Sequence, residues 1–162
     1  MAFAAIAACD PASAAAAERA DAVVEAKRKT SPAKGRSVER PYGREGDARR
    51  VKRVIKIDMS DTMRFFPDQI RVKRGETVRF ALRNSGQMPH EMVIGTMDEL
   101  KSKAALSKKN AETGVIEEHA VHVAPGATGR LVWQFTKAGE FHYACLVPGH
   151  FEAGMIGTIV VR

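Results

Sequence analysis

Residues 141–155 read Phe141-His-Tyr-Ala-Cys145-Leu-Val-Pro-Gly-His150-Phe-Glu-Ala-Gly-Met155. The stretch begins with apolar residues at every second position, which predicts a strand with one buried face. A Pro-Gly pair then marks a turn. The sequence therefore predicts that Cys145, His150 and Met155 lie on one loop between two strands, with the sulfur of Cys145 directed inward.

These three side chains offer a thiolate, an imidazole and a thioether. These are three of the four ligand types found in a copper site of the His2Cys type, in which methionine is a weak axial ligand. The second imidazole has to come from elsewhere, and His90 follows the end of a predicted strand. The alternative interpretation treats Cys145 and Met155 as buried apolar residues and His150 as an exposed turn residue.

The remainder of the C-terminal two thirds also alternates with period two, and Gly, Pro, Asn and Ser clusters separate the alternating segments. The predicted strands are 54–59, 70–72, 78–82, 131–135, 141–145 and 157–161. Six or more short strands at this spacing predict an all-β protein, an antiparallel two-sheet sandwich or barrel. Thr96 and Glu99 form a capping-box pattern, which predicts a short helical insertion around residues 97–112.

The chain of 162 residues has room for one domain and a tail. Its net charge of +7 is concentrated in residues 27–53, which hold eleven Lys or Arg against three acidic residues. Few large apolar residues interrupt this segment, so we predict a basic disordered linker before a domain at 54–162. The linker is expected to be a solvated tether with no specific nucleic-acid target, although non-specific attraction to anionic lipid or nucleic acid stays open.

Residues 1–26 resemble the end of an export signal that lacks its positive start, so we predict a truncated or atypical signal and a periplasmic or otherwise exported protein. Ile6-Ala-Ala-Cys9 also resembles a lipoprotein box. Lipidation at Cys9, which would attach the protein peripherally to a membrane, and removal of Cys9 with the signal both stay open. With Cys9 and Cys145 as the two cysteines, no disulfide framework is expected.

From residue 54 to 162 the sequence resembles the cupredoxins, the small blue (type 1) copper proteins. The resemblance implies a Greek-key β-sandwich that holds one Cu(I)/Cu(II) ion through His90, Cys145, His150 and axial Met155. Positions 146–149 contain no second cysteine, so a mononuclear site is implied. The segments beginning at His122, Leu131 and Gly139 are similar to those of periplasmic bacterial cupredoxins associated with copper tolerance.

Two functions follow from this resemblance. The first is one-electron transfer in the cell envelope, and the alternative is a periplasmic copper-tolerance protein that sequesters copper or passes it on. Neither of these two functions is enzymatic. A monomer is expected, and its partner would be a redox protein or a copper donor or acceptor. Glu91 is a candidate for supporting the site or facing a partner. Additional copper binding by Met88, His119 or His122 stays open.

Overall fold

The computed structural model describes residues 38–109 and 119–162, which form two five-stranded β-sheets. In spatial order the first sheet contains β1 (Arg44–Glu45), β8 (Thr128–Gln134), β5 (Thr77–Asn84), β2 (Arg53–Ser60) and β3 (Arg64–Phe66). The second sheet contains β4 (Gln69–Val72), β10 (Ile156–Val161), β9 (Gly139–Ala144), β6 (His90–Gly95) and β7 (Ala120–Val123). The predicted β-sandwich is confirmed.

The core lies between the two sheets and is built from the inward half of each alternating strand. In β8, for example, Leu131 and Trp133 are buried while their neighbours are half-buried or exposed. In β10, Ile159 and Val161 occupy the same layer. Alternation of this kind arises because successive side chains of a strand point to opposite faces of the sheet.

Two strand pairs run parallel, which corrects the prediction of a purely antiparallel arrangement. The strands β2 and β5 pair in parallel in the first sheet, and β4 and β10 do so in the second. The physical reason is that the chain crosses between the sheets from β3 to β4 and again from β4 to β5. Strands that are neighbours in a sheet are then not always joined by hairpins, and they can share a direction.

The predicted helical insertion is helix α1 (Met97–Lys109), and positions 110–112 of the prediction lie outside the described residues. The capping box forms as expected, because Glu99 Oε2 accepts from the Thr96 amide at 2.9 Å and Thr96 Oγ1 accepts from the Glu99 amide at 3.3 Å. Leu100 and Ala104 pack on the outer face of the second sheet. No helix within 38–109 or 119–162 is long and apolar enough to cross a membrane.

Residues 38–53 were predicted to belong to the disordered linker, and here the structure corrects the prediction. The Tyr42 ring is fully buried and stacks on Trp133 at 5.7 Å between ring centroids, and the Trp133 indole donates to the Tyr42 carbonyl. A side chain at Gly43 would lie 2.0 Å from the Gln134 carbonyl oxygen, so only glycine fits against β8 there. One buried aromatic residue therefore orders a segment of charged composition. The predictions for residues 1–37 lie outside the described residues.

Candidate metal centre

The loop from Cys145 to Met155 joins β9 to β10 and is closed by its own backbone. The Cys145 amide donates to the Met155 carbonyl at 3.1 Å, and the Met155 amide donates to the His150 carbonyl at 3.0 Å. The turn between them contains Gly149, whose φ of +89° is the left-handed region that glycine favours. The loop thus fixes the relative positions of the three side chains that the sequence singles out.

His90 enters the site from the start of β6, and the loop before it is held by two side chains. Buried Asn84 donates through Nδ2 to the carbonyls of Met88 and Val123, at 2.8 and 2.9 Å. The carboxylate of Asp61 accepts from the Met88 amide at 3.2 Å and contacts His90 Nε2 at 3.2 Å. The ring of His90 is thereby held from outside the site.

The structure brings His90, Cys145 and His150 together. One ligand atom of each, an imidazole nitrogen or the thiol sulfur, lies within 4.8 Å of the other two, and all three residues are buried. His150 Nδ1 is 3.3 Å from Cys145 Sγ, and the centroids of the two imidazole rings are 5.0 Å apart. In residues 38–109 and 119–162 these side chains form the one group of three or more His, Cys, Asp or Glu residues close enough to hold a metal ion.

Burial also shapes the protonation of this group in the metal-free protein. It raises the pKa of the Cys145 thiol to about 11, against the opposing effect of hydrogen bonds from the Glu91 and Val147 backbone amides. For His150 the burial of the ring, together with nearby His90, lowers the pKa of the imidazole. A neutral imidazole and a thiol that must lose its proton are the states from which a metal site is assembled.

The fit to copper can be tested on the buried polar atoms of the site. His90 Nδ1 is buried and has no hydrogen-bond partner among the described residues, although its ring partner Nε2 is engaged by Asp61. Buried polar atoms are normally satisfied, so such an atom beside a thiol and a second imidazole points to a ligand. Two imidazoles and a thiolate in a buried site suit copper, and the residues present therefore fit the ion.

Met155, the predicted axial ligand, is fully buried in the same core cluster as Cys145. Its backbone is bonded to both Cys145 and His150, as described above. Ligation by its thioether sulfur stays a prediction, and so does the complete set of four ligands.

Glu91, the residue after His90, connects the ligand loop to β7. Its Oε1 accepts from the Leu146 amide at 3.0 Å, and its Oε2 lies 2.6 Å from His122 Nδ1. The Glu91 side chain is largely buried, whereas that of His122 is 54% exposed. The sequence left open whether Glu91 supports the site or faces a partner, and its contact with Leu146 joins it to the loop that carries Cys145 and His150.

The other residues considered for additional copper do not gather into one site. His119 is buried against Tyr42 and Trp133, and its Nε2 lies 2.9 Å from Lys103 Nζ. His122 pairs with Glu91 instead. Met88 is 37% exposed and lies two residues before His90, at the end of the sandwich where the centre lies. Additional copper binding by these three residues stays open, as it does from the sequence.

Asp61 is the site residue that the sequence did not indicate. It lies in a turn after β2 and is 29 positions away from His90. An aspartate in a turn is common because its side chain caps backbone amides. A carboxylate contact across this separation leaves no local pattern in the sequence that could have predicted it.

The sandwich and its buried His-Cys-His group define a cupredoxin. The family model for copper binding proteins of the plastocyanin/azurin family matches residues 51–162, and the chain belongs to this family. Copper is accordingly its cofactor, as predicted.

Two curated relatives are similar over most of the chain. The copper-resistant cuproprotein CopI of Rubrivivax gelatinosus is 54% identical over 122 residues, covering 75% of this chain and 74% of its own. The copper-resistant cuproprotein CopI of Pseudomonas aeruginosa is 32% identical over 161 residues, covering 82% of this chain and 86% of its own. The predicted proximity to copper-tolerance cupredoxins is confirmed.

Among solved structures, dithionite-reduced auracyanin from the photosynthetic bacterium Roseiflexus castenholzii superimposes with a TM-score of 0.60. The match covers 69% of this chain and 98% of auracyanin, at 19% sequence identity. At this identity the likeness concerns the fold, and it agrees with the two-sheet architecture described above.

Proposed function

We propose that the chain holds one copper ion at a mononuclear type 1 centre formed by His90, Cys145, His150 and axial Met155, and that this centre exchanges single electrons. The observation that carries the proposal is the buried group itself, with His90 Nδ1 left without a protein partner among the described residues. Copper supplies a Cu(II)/Cu(I) couple when bound. The part of the protein is to hold the ligands in one arrangement that suits both oxidation states.

The protein's own contacts support such an arrangement. Backbone hydrogen bonds close the loop that carries Cys145, His150 and Met155. The backbone amides of Glu91 and Val147 donate to the Cys145 sulfur, and hydrogen bonds to the sulfur tune the potential of a copper-thiolate centre. Ligands that the protein holds in one arrangement need little rearrangement when an electron enters or leaves.

The biological role that we propose is copper resistance in the cell envelope. The support comes from the two CopI relatives, which are named as copper-resistant cuproproteins. The chain is proposed to act without catalysing a reaction, as an exported, monomeric protein. Its partner would be a redox protein or a copper donor or acceptor in the same compartment. A dedicated electron carrier is the second candidate, and the backbone hydrogen bonds that hold the ligand loop in one arrangement support it.

A copper titration of the full chain tests the centre. We expect an intense thiolate-to-copper absorption band that saturates at one equivalent of Cu(II) and disappears on reduction with ascorbate. Cys145→Ser removes the band, whereas the matched variant Cys9→Ser, at the other cysteine, retains it. A wild-type protein without the band, or one that retains it in Cys145→Ser, contradicts the type 1 centre.

Complementation tests the role. In a copper-sensitive bacterium that lacks its own CopI, the wild-type gene is expected to restore growth in excess copper, and Cys145→Ser is expected not to. Fractionation of the same cells shows whether the protein is in the envelope. Growth that is restored equally by both proteins contradicts a role of the centre in resistance. A reversible potential without any growth phenotype favours the electron carrier.

A further inference from the structure

Asp61 makes a set of contacts that bears directly on His90. Its Oδ2 accepts from the Gln87 amide at 2.7 Å, and its Oδ1 accepts from the Met88 amide at 3.2 Å. The same Oδ1 lies 3.2 Å from His90 Nε2. The loop before His90 and the His90 ring are therefore both attached to one carboxylate.

Close packing keeps the Asp61 carboxylate in this position. A Cβ atom added at Gly86 would lie 2.1 Å from Asp61 Oδ1, so the loop approaches the carboxylate as closely as a glycine allows. Buried Asn84 holds the same loop from its other side by accepting from the Gly86 amide at 2.9 Å. The neighbouring loop therefore restricts the position of the Asp61 carboxylate, although 35% of the Asp61 side chain is exposed.

The contact determines which nitrogen of His90 is available. An ionised carboxylate can only accept a hydrogen bond, so Nε2 of His90 must carry the proton. In the neutral imidazole the lone pair is then on Nδ1, which is the buried atom without a partner among the described residues. A histidine that binds a metal commonly donates its other N–H to a carboxylate, which fixes the tautomer and the orientation of the ring.

We propose that Asp61 is a positioning residue that holds His90 in its metal-binding tautomer and, through its negative charge, favours Cu(II) over Cu(I) at the centre. The proposal rests on the copper centre proposed above. A negative charge next to a ligand stabilises the more positive ion, so Asp61 lowers the reduction potential of the centre. Outer partners of metal ligands typically contribute 10–100-fold to metal affinity.

The test compares Asp61→Asn with Asp58→Asn in the full chain. The amide introduced by Asp61→Asn can still accept a hydrogen bond through its oxygen, but it has no charge. Asp58 is a matched control because its carboxylate accepts from Ser85 Oγ at 2.7 Å, in the same loop, without contacting His90. For each protein we measure the affinities for Cu(II) and Cu(I) by competition with chelators, the reduction potential, the visible absorption band and the unfolding of the metal-free form.

In Asp61→Asn we expect Cu(II) affinity to fall about 10–100-fold, Cu(I) affinity to fall less, and the potential to rise. A tenfold difference between the two losses corresponds to a rise of about 59 mV for a one-electron couple. Asp58→Asn is expected to match the wild type in all metal readouts. Gly86→Ala, which displaces the Asp61 carboxylate without removing it, is expected to shift the band and the potential in the same direction as Asp61→Asn.

Two results would overturn the proposal in distinguishable ways. If the wild type has the band and Asp61→Asn has the affinities and potential of Asp58→Asn, Asp61 only stabilises the loop. A change confined to the unfolding of the metal-free form leads to the same conclusion. If the wild type itself lacks the band, the copper centre fails, and the role of Asp61 fails with it.

Discussion

His150 Nδ1 and Cys145 Sγ lie 3.3 Å apart inside the sandwich, close enough for one ion to contact both. The two residues are buried, and the loop between them is bonded to itself. One ligand atom of His90 also lies within 4.8 Å of those of Cys145 and His150, so a single ion could contact all three residues. Ligands supported in this way by rigid strands and neighbouring hydrogen bonds are positioned more accurately than ligands on a free loop.

The protonation of this pair predicts proton release on copper binding. At pH 8 the Cys145 thiol is protonated, because burial raises its pKa to about 11, while the lowered pKa of His150 leaves its imidazole neutral. Binding of Cys145 as thiolate should therefore release about one proton per copper. Affinity should rise about tenfold per pH unit between pH 8 and 10, because one proton competes with the metal.

Calorimetry in buffers of different ionisation enthalpy measures this proton. Cys145→Ser is the control, in which any residual copper binding should release no thiol proton. Copper binding by the wild type without proton release would mean that the sulfur is not a ligand, or that it is already a thiolate in the metal-free protein.

Replacing Met155 by leucine separates its packing from its ligation. The two side chains have similar volumes, so the free energy of unfolding of the metal-free protein should change by less than about 1.5 kcal/mol. If the thioether is the axial ligand, its loss should raise the reduction potential, because a donor that stabilises Cu(II) is removed. Voltammetry and denaturant unfolding measure the two effects, and an unchanged potential would argue against Met155 as a ligand.

Glu91 is expected to stabilise the ligand loop through the Leu146 amide. Glu91→Ala leaves this buried N–H without its acceptor, which should cost about 1–3 kcal/mol of unfolding free energy. Glu91→Gln retains an acceptor oxygen and should lose less. Urea unfolding of both metal-free variants measures the two losses of unfolding free energy. Equal losses would show that the negative charge of Glu91, rather than its hydrogen bond to Leu146, stabilises the loop.

Tyr42 is expected to contribute to the stability of the domain, although it lies outside residues 54–162, the segment predicted to fold. Tyr42→Ala removes a fully buried aromatic ring, which should cost about 3–5 kcal/mol in the free energy of unfolding. Val38→Ala, at a residue that is 57% exposed, serves as the control and should cost little. A loss for Tyr42→Ala no greater than that for the control would mean that the segment is not anchored by this ring.

The six strands that the sequence predicted alternate because each has one face against the core and one toward solvent. Strand β6 escaped prediction because its six residues are all buried, between the core on one side and helix α1 on the other. Its apolar residues Met92, Val93 and Ile94 are consecutive and pack on both sides of the sheet, so they show no period-two pattern. The burial of Tyr42 was not predicted for a different reason. A single apolar residue among charged residues forms no periodic pattern.

The centre was predictable to the extent that its residues are close in sequence. Cys145, His150 and Met155 are on one loop, and the ligand chemistry of these side chains identifies them together. His90 could be selected by its place after a strand. Asp61 could not, because its contact with His90 depends on how β2 and β6 are placed in different sheets.

The backbone bond between the Cys145 amide and the Met155 carbonyl closes the base of the loop that carries His150. Residues 146–154 lie beyond this bond and belong to no strand, so insertions or deletions among them leave the register of β9 and β10 intact. Selection can therefore change the properties of the copper centre through the length and composition of one short loop. The limit is set by Cys145 and Met155 at the two ends of the loop, because both belong to the core of the sandwich.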